Sequence, residues 1–268
     1  MTSEIVAPAP GRRREAAVPA GRAGFREALA FEWIKFRSLR STLWVTAVAT
    51  LLPAPGAVLV AATESIQPEE TVLGGALTFA TPALMLAAVL GALVVCGEYG
   101  SGTMRSTVAA VPRRGTVLAA KGTLLACLLY ALALPSCAAA YLVGDALLDD
   151  THAQGDPLPA LFGIAATFPV AGLFGLAVGA LIRHGAGAIT SVIAVLLLPG
   201  MLGPLFGPAE RWVAGVSPTA ALQKLTQSSE AAPELAGSLG AWPSLLLVAG
   251  YTALALMGTA ALFQRRDV

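Results

Sequence analysis

Charged side chains are scarce in this sequence of 268 residues. Only 12% of the residues are charged and 56% are hydrophobic, and the mean hydropathy is +0.73. Soluble globular domains carry about 25% charged residues, so this composition excludes an ordinary soluble fold and is typical of an integral membrane protein. The few charges that are present therefore carry most of the information about topology and function.

Residues that build metal sites and catalytic centres are also few. The two histidines fall in predicted loops on opposite sides of the membrane, and no HExxH or GxSxG motif occurs. The cysteines form no CxxC pair and lie in or beside apolar segments, which favours small buried hydrophobic residues; they are Cys96, Cys127 and Cys137. We predict no metal site and no catalytic residue, and the chain is not expected to be an enzyme.

Two further absences concern how such a protein could move a solute. No predicted span holds an acid or base in its interior, which disfavours a proton-driven carrier but leaves a sodium-driven one open. A Walker A motif ends in Lys followed by Ser or Thr, whereas the lysines of this chain precede Phe36, Gly122 and Leu225. We therefore expect no cofactor on this chain, and if ATP drives the protein, a partner subunit binds it.

Six long segments lack Asp, Glu, Lys and Arg, and each can cross a bilayer as a helix. About 20 residues suffice at a rise of 1.5 Å each, and the segments do not show the alternation of barrel strands. The predicted spans are residues 43–62, 71–97, 122–144, 158–182, 185–209 and 244–263. We predict an all-α membrane protein with six transmembrane helices, and prolines at 53 and 55 predict a kink in the first span.

The predicted spans are preceded by two segments of different character. Residues 1–23 are rich in Pro, Ala and Arg without apolar periodicity, which predicts a disordered basic tail. Residues 24–41 predict an amphipathic helix in the membrane surface, because apolar residues recur at helical spacing at Phe25, Leu29, Trp33, Phe36 and Leu39. Its expected membrane-interface residues are Trp33, Lys35, Phe36 and Arg40. The six-span domain is then residues 42–266.

The distribution of basic residues predicts the orientation. With both termini on the inner side, all of the 17 Lys and Arg residues except Arg211 and Lys224 lie inside. An excess of Lys and Arg marks cytoplasmic loops. We therefore predict a multi-pass protein of the cytoplasmic membrane, with the N- and C-termini inside.

The connection between the second and third predicted spans holds five charged residues, four of which are basic. This hinge segment, residues 98–121, reads EYGSGTMRSTVAAVPRRGTVLAAK and predicts a short cytoplasmic helix and turn. Its basic residues Arg113, Arg114 and Lys121 could serve only as anchors at lipid headgroups. A carboxylate gains nothing from that rule, so Glu98 is expected to form a specific salt bridge or a cap, and Arg105 could reach it only by folding back.

Small residues recur every four positions in the fourth predicted span. They form one continuous face that lets another helix approach closely, either in this chain or in a second copy; the residues are Gly163, Thr167, Ala171, Gly175 and Gly179.

Three features together resemble the permease subunit of type 2 ATP-binding-cassette transporters, in the form common in high-GC actinobacteria. They are the surface segment FEWIKFRSLRSTLW, the hinge segment, and six spans with a long outer connection before the last. The resemblance covers nearly all of residues 25–265. It implies a dimer of permeases above two cytoplasmic ATPase subunits that hydrolyse ATP, and export as the direction of transport. It also implies that the hinge segment meets the ATPase through Glu98, Tyr99 and Arg105, with Arg113, Arg114 and Lys121 at its exit.

Two other classes of function stay open on the sequence. One is a secondary carrier or channel that works without an ATPase, and the other is a membrane anchor subunit that transports nothing. The expected partners are an ATPase subunit, a second permease copy and the lipid bilayer, and no feature predicts nucleic-acid binding. The transported substrate, and the choice between homodimer and heterodimer, are not predicted.

Overall fold

The computed structural model describes residues 24–103, 114–148, 151–228, 231 and 239–265. Every regular element in these ranges is helical, so the prediction of an all-α protein is confirmed. The helices are α1 (Phe25–Ser38), α2 (Arg40–Leu51), α3 (Pro53–Thr63), α4 (Val72–Ala76), α5 (Ala80–Ser101), α6 (Arg114–Leu147), α7 (Pro157–Ile182), α8 (Gly185–Leu202), a 3-10 helix (Gly203–Ala209), α9 (Glu210–Val213), α10 (Pro218–Thr226) and α11 (Ala241–Arg265).

The described ranges hold five helices that are long and apolar enough to cross a membrane, namely α5, α6, α7, α8 and α11. A sixth span results if α2 and α3 are taken together, since they are bent by 46° at Leu52. Pro53 begins α3, where its missing N–H costs no helical bond, and the proline ring prevents a straight continuation from α2. Five to six apolar helices indicate a multi-pass membrane protein.

The second predicted span is not one continuous helix. The short helix α4 comes first and is buried along its whole length, and turns at 77–79 separate it from α5. The helix α5 then runs past the predicted end at 97 and includes Glu98, ending at Gly102, whose φ of 71° is the left-handed conformation that glycine adopts readily. The helix α6 already begins at Arg114 and so includes Lys121. Both ends of the hinge segment thus continue the spans instead of forming a separate helix.

The helix α7 lies at the centre of the bundle and packs against α5, α6, α8, α10 and α11. Its closest approach is to α5, where glycines from both helices meet. A Cβ atom at Gly91 would overlap the carbonyl oxygen of Gly172, and one at Gly175 would overlap that of Ala88. The two backbones are therefore in direct contact, which only glycine permits at these positions.

Successive spans run in alternating directions, which places most described charges at two opposite ends. One end, the basic end, contains the ends of α5 and α7 and the starts of α6 and α8. Its described basic residues are Arg26, Lys35, Arg37, Arg40, Lys121 and Arg183. The other end, the acidic end, carries Glu64, Glu69, Glu70, Asp145, Asp156 and Glu210.

The connections at the acidic end are closed by hydrogen bonds. Thr71 Oγ1 donates to the carbonyl oxygen of Gln227 at 3.2 Å, and the Gln227 side chain accepts from the Asp156 amide at 3.1 Å. The helix α10 is capped by Ser217 and buries Leu222 and Leu225 against its neighbours. The long connection before the last span thus holds a helix packed into the bundle.

Lys224 attaches α10 to α11. Its Nζ donates to Ser244 Oγ at 2.9 Å and to the Gly215 carbonyl at 3.3 Å. Partial burial lowers the pKa of the Lys224 ammonium. This lysine, which the sequence places in an outer loop, therefore has a structural contact at the acidic end.

Candidate functional site

Four charged side chains meet inside the protein at the basic end, and we call them the charge cluster: Glu32, Lys35, Glu98 and Lys121. Lys121 Nζ donates to Glu32 Oε2 at 2.5 Å and also to Glu98 Oε1. Lys35 Nζ contacts the same Glu98 oxygen at 2.7 Å. Glu98 and Lys121 are each 2% exposed and Glu32 is 4% exposed. The cluster joins three helices, since it takes residues from α1, α5 and α6.

Small side chains on α1 and α6 bring the cluster together. Ala28 packs against Val117 and Ala120, so α1 lies close along the first turns of α6. Glu32 is four residues after Ala28 and therefore occupies the same face of α1. Lys121 directly follows Ala120 and reaches Glu32 across this contact.

The cluster is electrically balanced but not fully hydrogen-bonded. Two carboxylates face two ammonium groups, and neither charge sign is in excess. Within the described ranges, Glu32 Oε1 and Glu98 Oε2 are buried without a hydrogen-bond partner. The contact of Lys35 with Glu98 is a close ion pair without hydrogen-bond alignment. A buried charge that loses its partner is strongly destabilising, so the four groups depend on one another.

A second contact connects α5 with the end of α7. The Arg183 guanidinium lies over the ring of Tyr99, with 5.1 Å from Cζ to the ring centroid. Arg183 itself ends α7 with a left-handed φ of 59°. One turn deeper, Cys96 Sγ contacts the Gly179 carbonyl oxygen at 3.4 Å. Tyr99 and Cys96 thus fix the basic end of α5 to α7, while Glu98 fixes it to α1 and α6.

A cavity of about 540 Å³ lies beside the charge cluster, and we call it the basic-end cavity. It is bounded by α1, α2, α5 and α6. Polar residues line it where the helices end, and aliphatic side chains line the remainder. The volume falls within the range of about 300–1,000 Å³ that is usual for ligand pockets.

The structure places some of the predicted hinge residues in contact with one another and does not describe others. Glu98 and Lys121 are brought into contact, and Tyr99 lies one residue away on the Arg183 side of α5. Arg114 begins α6, but its side chain lies outside the described part of the structure, as do Arg105 and Arg113 as whole residues. Among the described side chains, the cations that pair with Glu98 are Lys121 and Lys35.

The residues of the predicted surface helix also lie in different environments. Trp33 is exposed and is covered on one side by Arg37, whose Cζ is 5.7 Å from the ring centroid. Arg40 is exposed at the start of α2, and Phe36 lines the basic-end cavity. Lys35 points to Glu98 rather than only to solvent. Within the protein, α1 buries Ala28 and Glu32, whereas the apolar stripe expected from the sequence faces outward or lies half-buried.

The predicted small-residue face of α7 contacts helices of the same chain. Gly175 lies on Ala88 and Gly179 lies on Ala92 and Val95, all in α5. Gly163 faces Leu225 of α10 and Trp242 of α11, and Ala171 is fully buried. The close approach at Gly175 and Gly179 is therefore an internal packing contact.

No family model matches this chain, and no curated protein matches it either. Among the described residues, no group of three or more His, Cys, Asp or Glu side chains could hold a metal ion. The charge cluster and the basic-end cavity are thus the two features on which a functional argument can be built. Glu32 belongs to the charge cluster and Arg183 to the neighbouring contact with Tyr99, and neither was predicted from the sequence as a site residue.

Proposed function

We propose that this chain is the membrane-spanning permease subunit of an ATP-binding-cassette exporter in the cytoplasmic membrane. It would pair with a second permease copy and bind a separate ATPase subunit, which hydrolyses ATP while a small or amphipathic molecule moves outward. The observation that carries the proposal is the charge cluster, because it joins α1 to the two helices on either side of residues 104–113.

The position of the cluster suits the transmission of force. A push on residues 104–113 acts on the ends of α5 and α6, which carry Glu98 and Lys121. These two side chains also hold Glu32 and Lys35 of α1. Ion pairs inside a protein are strong because the local dielectric is low, so the three helix ends would move together. A local push would thereby become a movement of whole spans.

The charge distribution supports a cytoplasmic basic end. Exposed Arg26, Arg37 and Arg40 lie at this end, whereas the described acids of the opposite end include Glu64 and Glu69. The excess of Lys and Arg on the inner side then agrees with residues 104–113 meeting a cytoplasmic ATPase.

Purification of the full chain from its native membranes in mild detergent tests the proposal directly. We expect a bound protein that carries a Walker A motif and whose ATPase activity rises when the two are reconstituted together. Transport by this chain alone in liposomes without nucleotide would instead support a secondary carrier. Absence of both a bound ATPase and transport would support an anchor subunit.

Replacement of Glu98 by Gln should uncouple export from ATP hydrolysis. The substitution keeps the shape of the side chain but removes the charge that Lys35 and Lys121 share, while the Lys121–Glu32 pair persists. Loss of a charge-assisted contact of this kind corresponds to about a tenfold change in an equilibrium constant. We therefore expect ATP-dependent export in proteoliposomes to fall about tenfold, with unchanged membrane insertion.

Glu69→Gln provides the matched control, because Glu69 is exposed at the acidic end. It should leave export and ATPase stimulation at the level of the parent protein. If Glu98→Gln behaves in the same way as this control, the charge cluster does not transmit force.

A further inference from the structure

We propose that the basic-end cavity binds one anionic phospholipid from the leaflet at that end of the protein. Its headgroup would lie at the junction of α1 and α2, and one acyl chain would extend along α5 toward the middle of the bilayer. This inference requires that the chain spans a membrane, but it does not require an ATPase partner.

The mouth of the cavity is suited to a phosphate group. The helix α2 has no side-chain cap, so the amide groups of its first turn are left without helical partners, and Ser41 and Thr42 of this turn line the cavity. The positive end of the helix dipole favours an anion there. Lys35 lines the same mouth, and its Nζ forms an ion pair with Glu98 at 2.7 Å but has no hydrogen-bond partner among the described residues.

The surrounding charge favours a negative headgroup over a neutral one. The charge cluster is balanced in itself, so the carboxylate of Glu98 adds no net repulsion. Arg37 and Arg40 lie exposed on either side of the α1–α2 junction and bring an excess of positive charge. Basic residues near the membrane surface attract anionic headgroups, and each such residue raises the affinity about fivefold.

The deeper part of the cavity is suited to an alkyl chain. Its walls are aliphatic and come from three spans, with Val45 from α2, Leu90, Leu93 and Val94 from α5, and Leu124 and Leu125 from α6. From Glu98 to Leu90 the helix descends by about 12 Å at 1.5 Å per residue. A soluble anion would leave this wall without an apolar partner, whereas a phospholipid covers it. The occupant that satisfies both parts of the cavity is therefore an amphiphile with a negative head.

Native mass spectrometry of the purified full chain can test this binding. The probes are palmitoyl-oleoyl-phosphatidylglycerol, the corresponding phosphatidylcholine, and inorganic phosphate. We expect saturable binding of one phosphatidylglycerol, with phosphatidylcholine weaker by about fivefold or more. Phosphate should neither bind nor displace the lipid. Equal binding of the two lipids, or displacement by phosphate, would overturn the proposal.

Two variants locate the site. Leu93→Trp fills the apolar part of the cavity and should abolish saturable binding. Its control is Met257→Trp, because Leu93 and Met257 each lie eight residues before the last residue of their helices and Met257 is exposed outside the cavity. If Leu93→Trp and its control both bind the lipid as the parent does, the lipid does not occupy this cavity.

The variant Ser41→Glu distinguishes an effect on lipid binding from an effect on folding. Ser41 is exposed in the first turn of α2, where a negative charge is favourable to the helix. The variant should therefore keep or raise thermal stability, while it lowers phosphatidylglycerol affinity about tenfold by repelling the headgroup. Unchanged affinity in a stable Ser41→Glu protein would contradict the assigned headgroup position. None of these readouts involves ATP, so their failure is distinguishable from failure of the permease proposal.

Discussion

Substitution of Lys121 by Met is expected to destabilise the folded protein by about 3–5 kcal/mol, because it breaks a buried ion pair by removing one partner. Lys121 neutralises two carboxylates, and its loss leaves the buried Glu32 without a cationic partner among the described side chains. Of the described cations, Glu98 would keep Lys35. In a thermal unfolding experiment in detergent, a loss of this size lowers the midpoint by about 10 °C for a chain of this length.

The cause can be separated from the loss of packing by removing the stranded charges as well. In the triple variant Lys121→Met, Glu32→Gln and Glu98→Gln, no unpaired carboxylate is left in the cluster. We expect most of the stability to return, since replacing a whole buried ion pair by neutral groups is often close to neutral. Arg26→Met, at an exposed position of α1, serves as the control and should change stability by less than about 0.5 kcal/mol.

A midpoint for Lys121→Met within a degree or two of the parent would contradict the buried cluster. So would a triple variant that is less stable than Lys121→Met alone. Either result would mean that Glu32 and Glu98 are solvated in the folded protein.

The sequence identified Glu98 as an unusual residue but did not identify its partners. Spans that are defined by the absence of charge end at 97 and begin again at 122, directly beside Glu98 and Lys121. The structure continues α5 and α6 through both charges. Antiparallel helices then bring residues 98 and 121 together, a contact that composition cannot reveal because it depends on the path of the intervening chain.

Glu32 was missed for a related reason. The apolar spacing of Phe25 and Trp33 indicated a helix with its apolar face in the membrane surface, and such an interpretation leaves Glu32 in water. In the structure the face of α1 that meets the protein carries Ala28 and Glu32 instead. Ala28 permits the close approach to α6, so a small residue one turn before an acid was the available signal. The location of Trp33 at a lipid interface stays a prediction.

Long and short helices differed in how well they could be predicted. The long spans follow from composition, because any apolar stretch of sufficient length must satisfy its backbone as a helix in lipid. The short helix α4 is decided by tertiary contacts, such as the hydrogen bond from Thr71 to Gln227. It has too few residues for periodicity to be informative. The bend at Pro53 was predictable because proline acts locally.

Substitution of Gly175 by Ala should destabilise the bundle more than any other glycine-to-alanine change in a span except the reciprocal one at Gly91. The added Cβ would overlap the carbonyl oxygen of Ala88, which belongs to the backbone of α5 and cannot rotate away. Separating α5 from α7 is the only relief, and overpacking of this kind costs about 3 kcal/mol or more. Thermal unfolding in detergent should show a lowered midpoint for Gly175→Ala.

Gly250→Ala is the matched control because Gly250 also lies inside a spanning helix and has no atom within 4 Å of the added Cβ. Both variants gain the same intrinsic helix propensity, so their difference isolates the close approach. Gly91→Ala should act like Gly175→Ala, and the double variant should lose clearly less than the sum, since one separation of the helices relieves both overlaps. Full additivity, or a Gly175→Ala midpoint equal to that of Gly250→Ala, would mean that α5 and α7 are not in backbone contact.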